Sequence, residues 1–336
     1  MEEKKIEQFN FTGKGIDYFK IWITNTVLII LTCGIYYAWA KVRKTQYFMQ
    51  NSWFQGNHFN YHANPIAILK GNIFVLIFFG LYLLVSYFSS NIAALVFLSA
   101  FLLFPFFITK SMQYHLTNIS YKGIHFNYQS NLKKFYIFFF SHIFLNLITL
   151  FIIFPYTLKK YNDIIYSNIK IGDVFFKIHT KTKEFYFIYF KLIGISILVF
   201  SPFVIYNILF GTEKTTGIVF NIATVITVFV NLIYTILAFY KLVINNLSIC
   251  SNNFETNISF KKYFFTNITN TILIVITFGL YMPFAEIKLK KLLLEKLYLE
   301  INEEMIFKNE NTGNSNEILS QSSEITNSLF GIDIGV

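Results

Sequence analysis

The sequence predicts an all-α fold, a polytopic bundle of membrane helices with short aromatic, β-like loop tails. Three observations predict it: a shortage of charge, a series of long apolar runs, and an internal repeat that ends those runs alike. Of the 336 residues, 54% are hydrophobic, 20% aromatic and only 14% charged. A soluble domain carries about 25% charged residues because water must solvate its surface. Much of this surface therefore meets something other than water. Apolar segments lie near 19–39, 66–85, 92–109, 135–157, 186–209, 217–240 and 264–285. Each reaches or approaches the roughly 20 residues that carry a helix across a bilayer.

Taken in order, the first segment follows a mixed-charge head, 1–18, and ends on Ala38-Trp39-Ala40-Lys41-Val42-Arg43-Lys44. A basic, aromatic flank suits a retained helix end better than a cleaved leader. The membrane region runs over 19–300, and the Asn-, Ser- and Glu-rich stretch 301–336 reads as a disordered tail. The net charge of +10 comes from Lys with a single Arg, Arg43, set beside the apolar runs. That is the pattern of membrane-flanking loops and argues against nucleic acid as a partner. Cys33 and Cys250 have no CxxC partner, so neither a metal nor a disulfide framework is implied.

The repeat is clearest between the two ends, with best copies at 18–44 and 263–289. Asn25-Thr26-Val27-Leu28-Ile29-Ile30-Leu31-Thr32-Cys33-Gly34-Ile35-Tyr36 aligns without a gap on Asn270-Thr271-Ile272-Leu273-Ile274-Val275-Ile276-Thr277-Phe278-Gly279-Leu280-Tyr281. Agreement at Asn, Thr, Gly and Tyr is not what apolar composition alone produces. Looser copies follow other runs: Gly56-Asn57-His58-Phe59-Asn60-Tyr61, Gly123-Ile124-His125-Phe126-Asn127-Tyr128 and Gly172-Asp173-Val174-Phe175-Phe176, with Lys241 and Asn245/Asn246 as a degenerate one. Each unit reads as a helix leaving the bilayer through an aromatic–basic collar, then a Gly-led alternating tail able to form a short strand.

The same residues carry a family resemblance. Tyr18-Phe19-Lys20-Ile21-Trp22, Leu31-Thr32-Cys33-Gly34-Ile35-Tyr36-Tyr37-Ala38-Trp39-Ala40-Lys41-Val42-Arg43 and the later Phe59-Asn60-Tyr61-His62-Ala63-Asn64-Pro65 resemble the YjgN-like bacterial inner-membrane proteins. Gly279-Leu280-Tyr281-Met282-Pro283-Phe284-Ala285 is similar to that family's second signature, departing from it at Phe284, Glu286 and Lys288. The resemblance implies a multi-pass protein of the cytoplasmic membrane, with no activity or site residues to carry over.

Topology is where the signals conflict. Seven crossings suit the segment lengths and are the favoured arrangement. They set the basic loop 159–183 opposite the similar loops 41–44 and 110–134, against the positive-inside rule. If all basic loops share one side, segments 19–39, 135–157 and 264–285 must re-enter, and Gly34, Pro155 and Gly279 are placed to break them.

The polar candidates are few. Asn25, Thr32, Gly34, Asn270, Thr277 and Gly279 recur in both repeat copies, and Arg43 marks the first collar. His142 and Asn146 lie one turn apart inside an apolar run, fit either to line a pathway or to hydrogen-bond between helices. His58, His62, His125 and His179 sit in loop tails without the carboxylate or Cys company of a metal site. No GxxxxGK[ST], GxSxG or HExxH pattern occurs, so catalysis has no positive support, and no cofactor is expected. The reading is a small-solute or lipid transport or permeability role. The alternative is a structural or assembly factor of the envelope, with collars that bind anionic lipids, a protein partner or a second copy.

Overall fold

The computed structural model describes residues 5–129, 131–210 and 213–302. The expected tail, 301–336, lies outside the described residues from 303 onward, and Ile301 at its start ends a strand. The chain is not all-α. Among the described residues, pairs of helices, ten in all, alternate with eleven short strands, and the strands form one antiparallel sheet.

Five units follow one another. The first has β1 (Lys5–Gln8), β2 (Asn10–Phe11), α1 (Gly15–Leu31), α2 (Tyr37–Gln50) and β3 (Ser52–Phe54). The second has β4 (Asn57–Tyr61), α3 (Pro65–Phe88), α4 (Ser90–Thr117) and β5 (Ile119–Tyr121). The third has β6 (Ile124–Tyr128), α5 (Leu132–Ile148), α6 (Phe154–Tyr166) and β7 (Ile169–Ile171). The fourth has β8 (Val174–Ile178), α7 (Thr182–Phe210), α8 (Glu213–Ile244) and β9 (Leu247–Ile249). The fifth has β10 (Asn252–Thr256), α9 (Phe260–Ile276), α10 (Met282–Leu294) and β11 (Leu297–Ile301). Each unit is a helical hairpin whose flanking strands pair with each other. Tight turns join one unit to the next, as at Gln55-Gly56 and Lys122-Gly123, where both residues have positive φ. Two-residue turns of that hand match the twist of antiparallel strands.

The sheet closes on itself. Lys5–Gln8 pairs with β11 at one end of the strand order, and Asn10–Phe11 pairs with β3 at the other. One N-terminal stretch, Lys5–Phe11, thus clasps both ends of the strand order. Alternation along the strands turns a bulky residue inward from each side of every unit. Phe59 faces Tyr121, Phe126 faces Ile171, Phe176 faces Ile249 and Phe254 faces Leu299 in direct cross-strand register. Phe9 stacks on Phe54 at 4.3 Å between ring centroids to complete the set. The barrel is filled by these side chains, with Tyr121, Ile171, Ile249 and Leu299 buried.

The helices settle the topology conflict by correcting the span count. Among the described residues, four helices, α3, α4, α7 and the 217–244 part of α8, are long and apolar enough to cross a membrane. Segments 19–39, 135–157 and 264–285 are not crossings. Each is a helical hairpin broken near its middle, at 32–36, 149–153 and 277–281. Helices of 13–17 residues in these hairpins reach roughly 20–25 Å at 1.5 Å per residue, short of a bilayer core of about 30 Å. Their tips are bare hydrocarbon: Phe278 is 98% exposed, Leu150 82% and Leu31 72%. Three such apolar tips are costly in water. All five hairpins rise from the same side of the barrel; two are built of membrane-length helices and three are shorter. All the basic loops share the barrel side; of the two far connections, Phe88-Ser89-Ser90 carries no charge and the other, at 211–214, carries one charge of each sign, Glu213 and Lys214.

Candidate functional site

The second helices of successive hairpins meet in turn above the barrel through side chains, around what we call the axis. Val42 of α2 shares a hydrophobic cluster with Tyr114 of α4, and Met112 of α4 shares one with Ile165 of α6. A cavity of about 380 Å³ lies between α6 and α8. Leu237 of α8 clusters with Leu292 of α10, and the Tyr240 hydroxyl reaches Leu293 O at 3.5 Å. The seam from α10 back to α2 is polar: Lys44 Nζ lies 2.9 Å from Glu286 Oε2, to which Tyr18 Oη also donates at 2.8 Å. Burial, reinforced by Glu286, raises the Tyr18 phenol far above its ordinary value and keeps it a donor. The ring is thus closed at helix level as well as at sheet level.

Below this ring the barrel core forms an unbroken aromatic circuit. Ring centroids run Phe59–Phe126 6.4 Å, Phe126–Phe176 6.3 Å, Phe176–Phe254 6.2 Å and Phe254–Phe9 6.4 Å. The circuit returns through Phe54 and Tyr121. It is a floor of side chains. On the helices above, equivalent positions differ instead of repeating. Counting back equally from the inward strand residue gives Thr45 (from Phe54), Met112 (Tyr121), Asn162 (Ile171), Tyr240 (Ile249) and Lys290 (Leu299). Lys290 is half-buried, desolvation draws its ammonium below the ordinary lysine value, and it has no ion-pair partner among the described residues.

The polar residues singled out from sequence take up the three short hairpins. Asn25 and Asn270 are buried and occupy one position twice: each Nδ2 donates at 3.4 Å to a backbone oxygen on the returning helix, Ala40 O and Ala285 O. Neither Oδ1 has a partner. Thr32 and Thr277 hold the break. Each hydroxyl donates to the helix before it (Leu28 O, 2.7 Å; Leu273 O, 2.6 Å) and accepts from the helix after it (Tyr36 N and Tyr281 N, both 3.0 Å). Gly34 and Gly279 have φ of 93° and 92°, and their N–H groups donate to Ile29 O and Ile274 O at 2.8 Å, a helix-ending bond pattern that favours glycine. The third hairpin uses the same break with Leu150 and Phe151 at positive φ, Phe151 N donating to Asn146 O at 2.8 Å.

His142 and Asn146 are drawn into that third hairpin. Asn146 Nδ2 reaches His142 O at 2.7 Å and Thr157 Oγ1 at 2.8 Å, and His142 Nδ1 lies 3.0 Å from Phe138 O. His142 stands where the other hairpins have Asn25 and Asn270, and its Nε2 has no partner. Arg43 points away from the buried Val42 face and is exposed, as is Lys288 at the same place on α10. The loop histidines pair locally: His62 Nε2 with Ser120 Oγ at 2.8 Å, and His125 Nδ1 with Thr117 O at 2.9 Å. Reading the sequence alone missed the barrel floor and the axial residues Tyr161, Asn162, Tyr166 and Tyr240. The signal for the floor was present: Phe9-Asn10-Phe11 is a further copy of Phe59-Asn60-Tyr61 and Phe126-Asn127-Tyr128.

Four spans, three part-way hairpins and a one-sided basic collar define a class: a multi-pass membrane protein built as a closed ring of helical hairpins on a small β-barrel. Over residues 6–316 the chain matches the family described as "Bacterial protein of unknown function (DUF898)", and it belongs to that family. It is similar to Inner membrane protein YjgN of Salmonella typhimurium (strain LT2), 28% identical over 141 residues, which is 42% of this chain and 36% of that protein. It is also similar to Inner membrane protein YjgN of Escherichia coli (strain K12), 29% identical over 134 residues, 38% of this chain and 32% of that one. The matched segments thus span about a third of the relatives' own length. With the four apolar helices, these relatives put the chain in the bacterial inner membrane as a multi-pass protein. No solved structure matches.

Proposed function

We propose that this protein handles membrane amphiphiles, admitting them sideways from the bilayer to the axial space above the barrel. The observation that carries this reading is the inequality of the hairpins. Three stop part-way with bare apolar tips while two cross. In the far half of the bilayer the wall around the axis is therefore incomplete, and acyl chains are what fill the gaps. A water-filled solute pore needs a closed wall and an open floor, and the barrel floor is filled with aromatic rings. The basic loops on the barrel side set that side in the cytoplasm.

The test is lipid movement in proteoliposomes carrying a fluorescent phosphatidylethanolamine quenchable from outside. Protein-dependent loss of more than the outer-leaflet half of the fluorescence is expected, with an entrapped polar dye retained. Dye release without lipid movement would overturn the reading. A second reading, an envelope scaffold held by anionic lipids, is favoured by the outward cations Arg43 and Lys288. Native mass spectrometry of the Arg43→Ser, Lys288→Ser variant, extracted from liposomes of mixed neutral and anionic lipid, tests it. Loss of the co-purifying anionic lipid is its expected result, and unchanged retention overturns it.

A further inference from the structure

The cavity between α6 and α8 is built differently from the rest of the ring. At about 380 Å³ it has the size of a small-molecule site, and its walls are mainly apolar: Tyr161 and Tyr166 on α6, Phe239, Tyr240 and Ile244 on α8. Ile244 also packs on the barrel core, which puts the cavity directly above the aromatic floor. Its polar groups are uncharged. The hydroxyls of Tyr161 and Tyr166 have no partner among the described residues, and burial raises both phenols, with Tyr161 raising Tyr166 further, so they remain protonated donors. Asn162 spends one N–H on Leu158 O at 2.7 Å and keeps its carbonyl and its other N–H. Tyr128, in the same cluster as Tyr161 and Tyr166, is fully buried with an unpartnered hydroxyl. Asp163, next to Asn162 on α6, is already satisfied: it accepts from Lys159 Nζ at 2.5 Å and from Thr180 Oγ1 at 3.4 Å, and Lys290 of α10 is not among the residues that line the cavity.

Unpaired phenol and amide donors in an apolar, uncharged cavity are stabilised by acceptors that bring no charge. We propose that the α6–α8 cavity binds the head of an uncharged amphiphile bearing ester- or ketone-type carbonyl acceptors, the glycerol diester class, with its chains running out toward the bilayer. This names the head-group class within the amphiphile reading above and rests on it. The single occurrence of this lining fits such a ligand: of the axial positions compared above, only the third and fourth units supply Asn162 and Tyr240, so a single asymmetric molecule is held to one side of the axis.

The test is binding to the full chain purified in an uncharged detergent, by native mass spectrometry with a parallel thermal-shift series. The probes are 1,2-dioctanoylglycerol and dioctanoyl phosphatidic acid, which share chains and differ in charge. One dioctanoylglycerol per chain is expected, at least tenfold tighter than the phosphatidic acid. Tyr166→Phe with Asn162→Leu is expected to weaken it at least tenfold while the melting temperature of the free protein holds. Should that pair fail to fold, Tyr161→Phe preserves the shape and removes one unpaired donor, and a several-fold loss is expected. Equal or tighter binding of phosphatidic acid, or unchanged binding by folded variants, overturns the proposal. Lipid movement that persists when dioctanoylglycerol fails to bind would remove this inference and leave the amphiphile reading standing.

Discussion

A buried amide with one long hydrogen bond and an orphan oxygen contributes little, and Asn25 and Asn270 are both in that state. Replacing a half-satisfied polar group with a same-sized apolar one is close to neutral, whereas a charge there has nothing to compensate it. Asn270→Leu is therefore expected to leave the melting temperature in detergent nearly unchanged, and Asn270→Asp to lower it sharply. Equal losses from both would show that the amide is a strong structural bond. Phe151 offers the opposite experiment. It holds φ of 64°, where an L side chain costs about 1–2 kcal/mol, at the place the sister hairpins give to glycine. Phe151→Gly is expected to raise the melting temperature and Gly279→Val, at φ of 92°, to lower it. Thermal scans of the two variants side by side check the sign.

At the scale of elements, the N-terminal strand is the clasp. Among the described residues Lys5–Phe11 joins the two ends of the strand order, and Phe9 is its inward anchor. Phe9→Ala removes a buried ring from a filled core, a loss of about 3–5 kcal/mol, and is expected to expose β3 and β11 to proteolysis while the spans stay protected. The barrel also gives stability a pH dependence. Tyr121 donates to Phe54 O at 2.9 Å, and burial, then nearby Glu7, pushes its pKa from 10.0 up to about 12. The unfolded chain releases that proton near pH 10.0 while the fold holds it to about 12, so the unfolded state binds fewer protons in between. The contribution is complete below pH 10 and is lost as pH rises toward 12; Tyr121→Phe is expected to flatten that part of a stability–pH profile.

Over the whole molecule, what could be read from the sequence was the unit, and what could not was the way units combine. The collar and the Asn-Thr-Gly break were visible because they recur at fixed spacing, as between Asn25–Gly34 and Asn270–Gly279. The Gly-led tails read as strands because they alternate. Crossing and re-entering hairpins were not separable by apolar length: 19–39 is as long as one span, and only the turn at Thr32–Tyr36 divides it. Charge was the better guide, since Lys159 and Lys160 fall on the side of Lys41 and Lys44. Barrel closure depends on Phe9-Asn10-Phe11 meeting β11 and β3 from the other end of the chain, a long-range pairing that no local pattern encodes. The axial residues repeat nowhere, which hid Asn162 and Tyr240 from a search for repeats.

The central claim is that five hairpins enter from one face and only two cross. Single cysteines at Lys44, Lys160 and Lys261, placed in a chain with Cys33 and Cys250 replaced, test it through labelling by a membrane-impermeant maleimide in intact cells and in inverted vesicles. All three positions are expected to label in inverted vesicles and to stay protected in intact cells. Labelling of position 160 from the face opposite to position 44 would restore seven crossings and contradict the ring.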